Sequence, residues 1–78
     1  MNKQSYRVRD TFNDRVVSQH RTVDAAAKAE DRFLRAVRRS NGPTSYIPTR
    51  IEERNEAGTW VLVDADVLWK ARDSAQRR

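Results

Sequence analysis

The chain has no cysteine, one histidine, two glycines and two prolines. Without cysteine there is no disulfide and no thiolate metal site. That usage fits a reducing compartment. His20 has no second imidazole with which to share a metal. Gly42 and Gly58 stand far apart, so no glycine-rich phosphate loop exists. Long apolar runs are missing as well. The longest, Trp60 to Val63 and Val67 to Trp69, fall far short of the roughly 20 residues of a membrane-spanning helix. The opening MNKQSYRVRD carries no apolar stretch, so no secretory signal is expected there. The expectation is a soluble, cytoplasmic protein of the host-cell interior, with no membrane partner.

What the chain does have is arginine. Thirteen of its sixteen basic residues are arginine and three are lysine, and the net charge is +5. The sequence pI is about 10.4, within the range that marks nucleic-acid-binding domains. The planar guanidinium fork suits phosphate and carboxylate. A GC-rich coding bias would give the same excess. The 78 residues make one small domain, 1–78. A domain of this size buries only about 60–65% of its unfolded surface, which leaves little room for a deep substrate pocket.

Hydrophobic period two opens the chain. Tyr6, Val8, Asp10 and Phe12 alternate with Arg7, Arg9 and Thr11, which predicts a strand with Tyr6 and Val8 facing a core. Asn13-Asp14 suits a tight turn, and Arg15 to His20 completes a hairpin. The period then changes. Thr22 is a natural N-cap, with Asp24 in the first turn. The alanines that follow favour helix, and Ala26, Ala29, Phe33 and Val37 form one apolar stripe. Asn41-Gly42-Pro43 ends it. The main helix is predicted over about 23–40, packed on a sheet.

Tyr46 to Glu53 reads as a third strand. Pro48 lacks an amide donor, which points to an edge or a bulge. The turn ending at Gly58 leads into a fourth strand, Thr59 to Val63. Beyond Asp64 two readings stay open, a fifth strand or a short helix capped by Asp64 or Asp66. The spacing of Leu68, Ala71 and Ala75 favours the helix. Residues 74–78 are expected to fray. The predicted architecture is α+β: an antiparallel sheet of four or five strands, order β-β-α-β-β, plus a C-terminal helix or strand.

Two basic surfaces follow. If Ala26, Phe33 and Val37 point at the sheet, Lys28, Arg32, Arg35 and Arg39 line the opposite side of the helix at i, i+4, i+7 and i+11. A solvated face also demands charge, and cations near a helix C-terminus are favourable in any case. But four cations in a row, without alternating sign, suit a polyanion or an acidic protein. Arg7 and Arg9 point away from the core side of the first strand. Arg50 joins them by alternation with Ile51, and Arg15 lies nearby. An uncovered sheet face must be polar anyway, yet arginines on strands can also contact phosphates. Trp60 alternates with Leu62 and reads as core. Trp69 reads as core or partial core, with an anchor at a protein interface as the alternative. Tyr46 reads as a cover for the sheet edge, with stacking on a base as the alternative, and both stay candidate anchors.

No constellation suggests catalysis, and no cofactor or small-molecule substrate is expected. Glu52 and Glu53 are adjacent on a strand and point to opposite faces. Asp64 and Asp66 are explained by turn and capping chemistry. Ser18, Ser40 and Ser45 have no evident base.

YRVRDTFNDRVVSQHRTVDAAAKAE, residues 6–30, resembles the arm-type DNA-binding domains at the N-termini of phage tyrosine integrases. Those pair an arginine-bearing hairpin with a threonine-capped, alanine-rich helix. There the sheet contacts DNA, so the resemblance implicates Arg7, Arg9 and Arg15. This chain departs from that layout after the helix, where two more strands follow. TVDAAAKAE together with RIEERNEAGTWVLVDADVLW is similar in layout to small type I-F anti-CRISPR proteins, which act by binding a crRNA-guided complex. The two resemblances imply a non-catalytic binder from a phage or mobile element. Its partner would be nucleic acid, or an acidic or nucleoprotein surface on a host defence complex. A structural domain with incidental charge is the remaining reading. An unpaired sheet edge leaves a dimer open.

Overall fold

The structure is a computed structural model, and it describes residues 5–77. The elements run β1 (Tyr6–Asp10), β2 (Arg15–His20), α1 (Val23–Asn41), β3 (Thr49–Arg54), β4 (Trp60–Leu62) and α2 (Ala65–Gln76). The strands form one antiparallel sheet in the order β2-β1-β3-β4. Helix α1 packs against β1, β2 and β3, and α2 lies against α1. The fold is α+β, with four strands and two helices among the described residues.

Local chemistry sets the element ends. Asp14 takes the left-handed conformation in the β1–β2 turn, at φ 52°, which Asp tolerates better than most residues. Thr22 caps α1 by accepting from the Ala25 amide at 3.1 Å. Gly42, at φ 113°, sends its amide back to the Arg38 carbonyl at 2.8 Å and ends the helix before Pro43. Gly58, at φ 83°, closes the β3–β4 hairpin, and the Asn55 side chain accepts there from the Thr59 amide at 2.9 Å. Asp64 caps α2 by accepting from the Asp66 amide at 3.0 Å.

The core is small and built largely from short side chains. Val8 and Ile51 come from the two central strands, and Ala26, Ala27 and Ala29 from α1. Val63 and Ala71 bring in the C-terminal segment, with Tyr6, Val17, Val23, Leu68 and Ala75 packed around them. Alanines let the helix approach the sheet closely. The β1–β2 register shifts between Val8 and Arg9, a bulge that turns Val17 against the core while Val16 stays exposed.

Several boundaries differ from the sequence expectation. β1 stops at Asp10, because its carboxylate accepts from the Asn13 amide at 2.9 Å and the Asn13 side chain at 2.7 Å and so starts the turn. Phe12 is left 75% exposed at the tip. β3 begins at Thr49, and it is internal rather than an edge strand. Pro48 stands just before it, where its missing amide costs no ladder bond, and its carbonyl accepts from the Thr11 amide at 3.0 Å. The C-terminal segment is a helix and adds no fifth strand. Ser74, Ala75 and Gln76, expected to fray, belong to α2, and Ala75 packs on the core. Arg78 lies outside the described residues. Phe33 and Val37, expected in the core stripe, are half-buried.

Candidate nucleic-acid interface

The face of the sheet turned away from the helices is built by strand alternation. Register pairs Arg7 with Glu52 and Arg9 with Arg50 across β1 and β3, then Glu52 with Leu62 and Arg54 with Trp60 across β3 and β4. Cross-strand partners share a face. The open face therefore carries Arg7, Arg9, Arg50 and Arg54, with Glu52 and Trp60 among them.

Glu52 is the organising residue. It is 6% exposed, although it lies on a face with no helix above it, because the arginines cover it. The Arg7 Nε donates to its Oε1 at 2.7 Å. Arg9 Nη1 and Arg50 Nη1 approach its Oε2 at 3.8 and 3.9 Å. Arg9 also pairs with Asp14 in the hairpin turn. Trp60 supports the same set, with the Arg7 guanidinium 4.3 Å from its ring centroid and that of Arg54 at 5.1 Å. Guanidinium over indole is an attractive arrangement. The three arginines that reach Glu52 outnumber the two carboxylates paired with them, Glu52 and Asp14, which leaves an excess of positive charge. Each guanidinium has five donors, and Glu52 engages only part of them.

The candidate residues named from sequence therefore divide. Arg7, Arg9 and Arg50 come together, whereas Arg15 is set apart, its Nε donating to Asp10 Oδ2 at 3.3 Å. Arg54 and Trp60 were missed. Trp60 is half-buried on the open face rather than in the core. Continuing the Arg50–Glu52 alternation by two residues would have found Arg54.

The helix stripe is less ordered. Lys28, Arg32 and Arg39 are exposed on α1. Arg35 is partly withdrawn into an i,i+4 ion pair with Asp31 at 2.7 Å. Helix α2 runs alongside, so Lys28 and Arg32 border a hollow that Arg77 also lines, and Arg35 and Arg38 border a second with Arg72. The stripe flanks a second helix and is not an open ridge. Trp69 is 67% exposed, against the reading that places it in the core, and Tyr46 is 63% exposed.

Three further carboxylates, Glu30, Asp10 and Glu53, are engaged off the open face. Glu30 is buried, and both its oxygens accept from Arg72, Oε1 from Nε and Oε2 from Nη2, each at 2.8 Å; Oε2 also accepts from the Thr49 hydroxyl at 2.8 Å. Nothing in the sequence pattern signals this bond, since 42 residues separate the partners. Asp10, fully shielded, is held below the usual carboxylate range chiefly by its hydrogen bonds from Asn13, with Arg15 adding to the effect. Glu53 turns to the other face and accepts from the Tyr6 hydroxyl at 3.4 Å.

His20 contacts the Ser18 hydroxyl at 2.7 Å, a pairing the sequence reading did not anticipate. Burial lowers the pKa of this imidazole, and the Arg32 charge lowers it further. Among the described residues no group of three or more histidines or carboxylates could hold a metal ion, and no helix is long and apolar enough to cross a membrane. No protein-family model matches this chain, and neither does any curated protein or solved structure.

Proposed function

We propose that this protein is a non-catalytic nucleic-acid-binding module that holds phosphates on the open face of its sheet through Arg7, Arg9, Arg50 and Arg54. The observation that carries the reading is the convergence of three of these arginines on the buried Glu52. A free arginine gives up about 2 kcal/mol of rotamer freedom when it is fixed. Side chains already tied to a carboxylate and an indole lose less of it on binding. The resemblance to integrase arm domains, whose sheet contacts DNA, supports the same face. Trp60 gives the face a flat support between cations, and the exposed helix stripe adds long-range attraction.

The test is binding to a random-sequence DNA duplex at two salt concentrations. Four phosphate contacts predict a slope of log K against log salt of about −3.6, so affinity falls roughly 100-fold between about 50 and 200 mM salt. Arg50→Gln with Arg54→Gln should flatten that slope by about 2. Arg32→Gln with Arg39→Gln, on α1, should change it less. Absence of binding at the lower salt refutes the reading. Loss that follows the α1 pair instead moves the site to the helix.

A further inference from the structure

A second surface lies in the helical layer, away from the open sheet face. Two adjoining hollows share Arg72 and Gln76. One opens beside Trp69, and the other lies between Leu34, Arg38 and Tyr46. Together they form a groove with a large exposed aromatic on each part. These are the two most exposed aromatic side chains after Phe12 at the hairpin tip. Exposed aromatics beside a concave surface are the usual anchors of protein recognition.

Charge identifies the occupant. The two acidic residues that line the hollows are neutralised within the fold: Glu30 by Arg72 and Asp73 by Arg77. Arg38 stands exposed on the wall of the second hollow. A groove that is apolar beside Trp69 and carries beside Tyr46 an arginine, Arg38, unpaired among the described residues, is complementary to an acidic segment carrying aromatic or leucine side chains. A second copy of this chain, at +5, is a poorer fit. We infer that the groove along α2 and its junction with α1 binds an acidic, apolar-anchored peptide segment of a partner protein, with Trp69 and Tyr46 as anchors and Arg38 as the charge contact. The two surfaces would let the protein hold nucleic acid on the sheet and a protein on the helices.

The experiment selects a random 12-residue displayed peptide library on the full chain, then measures the enriched peptides by fluorescence anisotropy. Enriched sequences should combine Asp or Glu with aromatic or leucine residues. Trp69→Ala, Tyr46→Ala and Arg38→Glu should each weaken binding at least tenfold without changing the circular dichroism, since all three side chains are exposed. Arg50→Gln with Arg54→Gln should leave peptide affinity intact, which separates this inference from the sheet-face reading. The inference is overturned if no acidic-apolar peptide is enriched, or if affinity ignores all three changes. It also fails if sedimentation shows a dimer that Trp69→Ala dissociates, because the occupant is then a second copy. Loss of duplex DNA binding on Arg38→Glu, with no peptide selected, would assign the groove to nucleic acid.

Discussion

Removing the Arg72 guanidinium tests how the C-terminal helix is held. Glu30 is buried where α1, α2 and β3 meet, and Arg72 supplies two of its three hydrogen bonds. In Arg72→Ala the carboxylate stays buried and keeps only the Thr49 hydroxyl. Breaking one side of a buried ion pair costs about 3–5 kcal/mol. The Arg72 side chain is 37% exposed, so water already screens the pair, and the cost falls to about 2–3 kcal/mol. A domain of this length has a total stability of roughly 4–12 kcal/mol. The loss should lower the melting temperature by about 10–20 °C, read by circular dichroism and by urea titration. Arg72→Lys keeps the charge but not the fork and should lose about half as much. The Glu30→Ala, Arg72→Ala double variant should show a coupling of about 1–2 kcal/mol. If Arg72→Ala costs less than about 0.5 kcal/mol, the pair does not hold α2. Docking then rests on Leu68, Ala71 and Ala75.

Acid should destabilise the protein in two stages. The His20 pKa is lowered on folding, so the unfolded chain takes up a proton that the folded state resists. Stability therefore falls as pH drops below about 6.5, the ordinary histidine value. Asp10 is also lowered. Its contribution is present above the ordinary carboxylate range, near pH 3.9, and is lost as pH falls through its lower folded value. His20→Gln should remove the first stage and Asp10→Asn the second, in melting curves across pH 3–8. Ile51→Ala deletes a fully buried side chain and should cost about 2–5 kcal/mol. Phe33→Ala, at a half-buried site, should cost less by the same urea titration, and the reverse order would relocate the core. Thr22→Ala removes the α1 cap and should cost about 1 kcal/mol.

Much of the fold was legible because its signals are local. Period-two alternation marked β1, the alanine run and Thr22 marked α1, and Gly42 with Pro43 marked its end. The helical spacing of Leu68, Ala71 and Ala75 favoured α2 over a strand. Pro48 misled, because proline excludes a central ladder position but not the residue just before one. The candidate site was half legible. Alternation put Arg7, Arg9 and Arg50 on one face. It could not reveal that Glu52 would gather them, because that depends on the cross-strand register of β1 and β3.

Local stretches of chain set the element types, their caps and the charge, since each depends on neighbours within a few residues. Tertiary structure decided which strand lies inside and which arginines meet. It also joined Glu30 to Arg72 and left Trp69 in water. These depend on residues brought together from far along the chain. Their geometry is set by packing a small alanine-rich core, a constraint that no local window of sequence contains.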